Sequence, residues 1–133
     1  MVNVSFFAAG RPAPQGSKKS VGNGRFIEAS KYLPAWRAAV VSAARSAYQG
    51  DPISSPVRVR IVVFMDKPKS PKFDTAPATP PDADKLARSV LDALTIAGVY
   101  DDDALVVSLE IDKMWATERE DKMSGAEITI VTI

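Results

Sequence analysis

Carboxylates crowd one short stretch of this sequence: Asp82, Asp84, Asp92, Asp101, Asp102 and Asp103. Asp82 and Asp84 stand where a segment of helical spacing begins, and Asp101, Asp102 and Asp103 follow just past its end. Oxygen donors at this density suit Mg²⁺ or Mn²⁺, hard cations that prefer carboxylates and retain several waters. Such a cation lowers the pKa of an attacking water and stabilises charge on a leaving oxygen, which is what phosphodiester hydrolysis requires. Other chemistries are scarce. Histidine and cysteine are both absent, which removes thiolate nucleophiles, disulfides, thiol or imidazole zinc sites and histidine acid-base work together. A calcium loop is excluded as well, because Asp82-Ala83-Asp84-Lys85-Leu86 runs straight into helix without a glycine at its sixth position. Taken one at a time, these aspartates also have plain explanations, as helix caps or as a polar turn.

The element that must position them is a helix over Asp84–Ala97, with Leu86, Val90, Ala93, Leu94 and Ala97 on its apolar stripe and Gly98 as the stop. On its polar side Asp84, Arg88 and Asp92 recur every four residues and share one face. Arg88 there could hold a phosphate or stabilise a charged transition state, or simply complete an ion-pair ladder. A helix of this length, about 20 Å, puts Asp84 and Asp103 at opposite ends. One shared site then requires Asp84 to lie past the middle of the packed face, a second subunit to supply half, or a shorter helix.

The remaining elements read as follows. Val2–Ala8 is a strand ended by Gly10 and Pro12. Arg11–Arg25, rich in Pro, Gly, Ser and Lys, is an exposed loop with a short hairpin about Gly22-Asn23-Gly24 that leads to Phe26 and Ile27. A first helix runs from Ser30 or Leu33 to Gln49, with Pro34 in its first turn, Gly50 after it, and Trp36, Val40, Ala43, Ala44, Ala47 and Tyr48 at helical spacing. Val57–Met65 alternates as a strand with one polar side at its start. Asp66–Pro81 holds five prolines and three lysines, which rules out regular structure and predicts a basic, mobile loop directly before the acidic motif. Such a loop either closes on phosphate backbones or serves as a linker. Strands Leu105–Ile111 and Ala126–Ile133 finish the chain. The order predicts one α/β domain over residues 1–133, a mixed sheet with two main helices packed on it.

At 133 residues, 46% of them hydrophobic and 25% charged, the chain has the composition of one globular domain. No apolar run is long enough for a membrane helix and the first ten residues lack a secretory pattern, so the expected compartment is the cytoplasm, with no membrane partner. The net charge of +1 hides an asymmetry: residues 1–81 carry twelve Lys/Arg against four Asp/Glu, and residues 82–133 five against twelve. A polyanion-binding surface beside a carboxylate cluster would produce it, as would two solvated faces.

Pro81-Asp82-Ala83-Asp84-Lys85-Leu86, then Leu91-Asp92-Ala93-Leu94, Ala97-Gly98-Val99-Tyr100-Asp101-Asp102-Asp103 and Lys113 resemble the signature of the RusA-type Holliday-junction resolvases, without a gap from Asp82 to Lys113. Gly10–Lys18 and Pro34-Ala35-Trp36-Arg37 are similar to phage-type members. The resemblance implies a RusA-like fold and a homodimer that resolves four-way and other branched DNA junctions by paired phosphodiester hydrolysis in recombination and repair. It implies Asp82, Asp84 and Asp103 as essential acids binding Mg²⁺, or Mn²⁺, with Asp102 close by, and no small-molecule cofactor beyond the metal. The DNA-binding candidates are Lys18, Lys19, Arg25, Lys67, Lys69, Lys72, Lys85 and Lys113. Two positions depart from the signature. Lys85 stands where the family has Asn, and Arg88 where it has the catalytic Lys. Arginine keeps the charge and the phosphate contact but cannot donate a proton at neutral pH, so Arg88 has a positioning or electrostatic role. These departures leave open a non-catalytic branched-DNA-binding protein that retains the fold.

Overall fold

The computed structural model describes residues 1–16, 18–22, 25–28 and 30–133, the segments 18–21 and 25–28 by their backbone. Valine and isoleucine fill the central strand β4 (Val57–Met65), whose burial changes along its length. Its first half is one-sided, with Val57 and Val59 buried and Arg58 and Arg60 exposed; beyond Ile61 both faces are covered, Val62 and Phe64 included. β4 lies between β6 (Gly125–Thr132), antiparallel to it, and β5 (Val106–Trp115), parallel to it; β1 (Asn3–Ala9) adds antiparallel to the far side of β6. The sheet order is thus β1-β6-β4-β5.

Two parallel neighbours cannot be joined by a tight turn. The chain leaves β4 through residues 66–82, returns along helix α2 (Ala83–Ala97) and enters β5 after one turn of 3-10 helix at Asp103–Leu105. Helix α1 (Leu33–Ala47) packs against α2 and β1, with Pro34 in its first turn as the sequence predicts. It ends two residues before Gln49, and of the residues at helical spacing Trp36, Val40 and Ala44 are buried while Ala47 is exposed. Trp36, Val40 and Ala44 of α1 and Leu86, Val90, Ala93 and Leu94 of α2 meet Val57, Val59, Ile61 and Val63 of β4 and Ile128 and Ile130 of β6 in one core. A separate hairpin, β2 (Lys18–Gly22) with β3 (Arg25–Glu28), forms where the glycine-rich turn predicts it, and Asn23 and Gly24 lie outside the described residues. No helix among the described residues is long and apolar enough to cross a membrane.

Two glycines are required by the backbone. Gly98 ends α2 in the left-handed region (φ 79°), where its amide and that of Val99 reach back to Thr95 and Leu94 carbonyls, closing the orphan acceptors of the last turn. Gly125 (φ 151°) opens β6 so close to β1 that a Cβ there would collide with the Ala8 carbonyl.

The sheet face away from the helices carries a smaller apolar cluster of Val62, Phe64 and Ala116, with Phe7 against it. Arg119 lies flat on Phe7, its guanidinium 3.7 Å from the ring centroid, and donates to Asp121 at 2.9 and 3.0 Å and to Glu127 at 2.6 Å. The charged connection between β5 and β6 is therefore folded onto the sheet. Donors from Arg119 and the Met123 amide hold the Asp121 carboxyl down at about 2. A depressed carboxyl contributes stability above its unfolded value, and that contribution is lost as pH falls through the folded value near 2. Asp121→Asn should therefore lower Tm at pH 7, with the gap narrowing below about pH 4 and closing only as pH falls below about 2; a constant gap in thermal melts from pH 7 down through pH 2 would refute the assignment.

Candidate active site

Asp82 occupies the N-cap position of α2, yet its carboxylate accepts no capping hydrogen bond. The ordinary explanation of this residue as a cap therefore fails, and its side chain stays exposed and available. Its near neighbours are Lys85, with Nζ at 3.9 Å, and Lys113 across on β5. Burial pushes the Lys113 ammonium below its ordinary pKa, an effect the Asp82 carboxylate offsets. Asp84, in the first turn, is exposed. Pro14, Pro80, Pro81, Asp82 and Lys85 line a cleft of about 400 Å³ at this end of the helix.

Asp101, Asp102 and Asp103 sit at the other end. Their placement depends on Tyr100, a buried residue whose hydroxyl donates to the Leu91 carbonyl at 2.9 Å and whose phenol burial pushes upward in pKa. The Ile53 amide donates to the Val99 carbonyl at 2.9 Å and the Asp101 amide to the Ile53 carbonyl at 3.0 Å, so the return segment is clamped on both sides. Asp102 caps the 3-10 turn, its Oδ1 accepting from the Ala104 amide at 3.2 Å. Asp103 is held above its ordinary pKa by desolvation, by a hydrogen bond with Asp102, and by the charges of Asp102 and Asp92, against which Arg88 acts. Mutual repulsion among acids is the electrostatic condition that a bound cation relieves.

Between the two ends runs the Asp84, Arg88, Asp92 face, and it is not an ion-pair ladder: among the described residues no salt bridge joins these three. Asp92 pairs instead with Arg37 of α1 (3.4 Å), and Arg37 also donates to Gln15 Oε1 at 2.9 Å. The Arg88 guanidinium lies beside Gly16, where a Cβ would come within 2.9 Å of its Nη1. The Gln15 amide donates to the Lys85 carbonyl at 3.0 Å. Residues 14–16 thus lie along α2, and Pro12 and Ala13 are buried, a correction to the exposed loop expected from composition, of which Arg11 remains exposed. Proline and glycine are read from sequence as surface punctuation, but here they let the chain approach a helix closely. Arg37 and Gln15 were not among the candidates; their only sequence signal was membership of the two upstream strings that resemble phage-type members.

The two carboxylate sets remain apart in one chain. α2 is fifteen residues long, so it is not the shorter helix that would have joined them, and Asp84 stands in its first turn and not past its middle. Among the described residues no group of three or more acidic side chains is gathered closely enough to hold a metal ion. A single chain therefore does not fit a three-carboxylate centre. The loop over residues 66–81 is irregular as predicted. Lys69 and Lys72 are exposed, whereas Lys67 pairs with Asp74 at 2.8 Å. Lys113 Nζ is engaged by the Thr79 and Pro81 carbonyls at 2.7 and 2.8 Å. Lys18, Lys19 and Arg25 lie on the β2-β3 hairpin, their side chains outside the described residues.

The sequence profile of the family described as Endodeoxyribonuclease RusA matches residues 9–130. The chain belongs to this family. Membership makes it an endodeoxyribonuclease fold of the Holliday-junction-resolving type, and the match spans every element from the end of β1 to β6. A comparison with curated proteins found no match.

Arg37 joins α1, the 11–16 segment and α2, so its loss should loosen all three. Arg37→Met should cost about 1 kcal/mol in urea unfolding, the pair being partly exposed. In a double-mutant cycle with Asp92→Asn the two substitutions should be less than additive. Full additivity would show that the ion pair contributes nothing.

Proposed function

We propose that the chain is a divalent-metal-dependent endonuclease that nicks four-way and other branched DNA junctions as a homodimer, in the cytoplasm, in recombination and repair. The observation that carries this reading is the family match over residues 9–130, in a chain that keeps exposed carboxylates at Asp82, Asp84 and Asp103. Mg²⁺ or Mn²⁺ would supply a nucleophilic water and charge stabilisation at the scissile phosphate.

The chain's own residues fall into three roles. Asp82 and Asp84 from one end of α2, and Asp103 with Asp102 from the other, are the acids of the site. Because α2 holds these sets apart within one chain, a second copy is the remaining way to bring them together, and a two-fold dimer would also present two such sites for paired cuts. Arg88 is a phosphate-positioning cation in this scheme, its guanidinium lying beside Gly16. Lys69 and Lys72 of the 66–81 loop, with the β2-β3 hairpin, provide the basic surface. The second reading, a protein that binds branched DNA without cutting it, rests on Lys85 and Arg88 at positions where the family has Asn and Lys.

Cleavage of a synthetic four-way junction with Mg²⁺, run beside plain duplex, separates the two. Asp82→Asn, Asp84→Asn and Asp103→Asn should each reduce cleavage about a hundredfold or more, with junction binding in EDTA unchanged or tighter. Full activity in any of the three would overturn the assignment of the acids. Replacing Lys67, Lys69 and Lys72 together by Ala should weaken binding and reduce the slope of log K against log salt by about two rather than three, Lys67 being already paired with Asp74. An unchanged slope would make the loop a linker.

A further inference from the structure

The C-terminal end of β5 makes three hydrogen bonds to the loop that precedes the acidic motif. Lys113 Nζ donates to the Thr79 carbonyl at 2.7 Å and to the Pro81 carbonyl at 2.8 Å. The Trp115 indole N–H donates to the Phe73 carbonyl at 3.1 Å. Lys113 is opposite Val63 in the β4-β5 register, so its side chain rises on the helix side of the sheet, towards the start of α2. Its ammonium is only part-exposed and its donors are directed at backbone acceptors. An ammonium committed in this way is poorly placed to neutralise a phosphate. Pro81, one of its two acceptors, immediately precedes Asp82.

We propose that Lys113 is a positioning residue: it clamps the carbonyls of Thr79 and Pro81 to β5 and so fixes where the Asp82 carboxylate stands, instead of contacting DNA. The inference rests on the nuclease reading for its functional consequence but not for the clamp itself. Irregular segments such as 66–81 have many accessible conformations, and charge-assisted bonds to carbonyls select one of them. Trp115, largely buried, fixes the middle of the same loop, which leaves Phe73 and Lys72 projecting outward. The basic loop is then held at its middle by Trp115 and at its root by Lys113.

Limited trypsin digestion of the full chain, without DNA or metal, tests the clamp. In Lys113→Met, cleavage after Lys69 and Lys72 should quicken about tenfold while cleavage after Arg45, within α1, stays unchanged. Lys113→Arg keeps donors for the carbonyls and should recover most of the protection. Equal rates in wild type and Lys113→Met, or no recovery with Arg, would overturn the clamp. On four-way junctions with Mg²⁺, Lys113→Met should lose about tenfold or more in kcat, as displaced reactive groups do. Its junction affinity in EDTA should stay within about twofold of wild type and its salt slope unchanged. Weaker binding with a slope reduced by about 0.9 would instead identify a direct phosphate contact and defeat the proposal. If the wild-type chain does not cut junctions at all, the nuclease reading falls, and the digestion still decides the clamp.

Discussion

The parallel pairing of β4 with β5 governs the rest of this structure. Adjacent parallel strands force the chain to travel back the length of the sheet before it re-enters, and here the return is made by a single helix. The acids that precede that helix stand at the exit ends of both strands, and those that follow it stand at the entrance of β5. Open sheets with parallel strands commonly place ligands outside the carboxyl ends of the strands, which is where Asp82, Lys85 and Lys113 meet. The separation of the two carboxylate sets is therefore a consequence of topology, and it would persist under any substitution that preserved the strand order. This is the reason a second copy enters the functional reading: no side-chain rotation removes fifteen residues of helix.

Much of this was legible in the sequence. β4 has the bounds its alternation predicts, and α2 begins one residue early and ends at the predicted Ala97 before Gly98. Both carry a strong periodic signal joined to a clear terminator. β5 extends to Trp115, past the predicted Ile111, because Asp112-Lys113-Met114 breaks the apolar pattern while the backbone pairing with Val62, Val63 and Phe64 continues. An edge strand can carry polar residues where a central one cannot. The 11–16 segment was misread for a related reason. Its residues are those of a loop, and only tertiary packing tells that Pro12 and Ala13 are buried.

The candidate site was legible as residues but not as geometry. Spacing identified every acid at the two ends of α2, and it raised the problem of their separation without deciding it. The roles of Arg37 and Gln15 could not be read from the upstream strings that contain them, because their partners, Asp92 and the Lys85 carbonyl, are distant in sequence. Lys113 was visible as a residue of the family-like signature and a DNA-binding candidate, but not as a clamp. The carbonyls that occupy it belong to a proline-rich segment with no periodicity from which its path could be drawn.

Charge asymmetry along the chain overstated the acidic site. Glu118, Glu120, Asp121 and Glu127 account for a third of the acids in residues 82–133, and they gather around Arg119 on the sheet face away from the helices. They line the larger cleft, about 640 Å³, but acids fixed around one arginine would repel a phosphate backbone and have no path to α2. Lys69 and Lys72, on the loop before α2, are exposed and lie outside this cluster. Most acids of residues 82–133 are thus divided between the two ends of α2 and the Arg119 cluster on the other face of the sheet. Arg119 itself is paired with Asp121 and Glu127 and stacked on Phe7, so its charge is spent within the cluster and its role there is to hold the β5-β6 connection on the sheet.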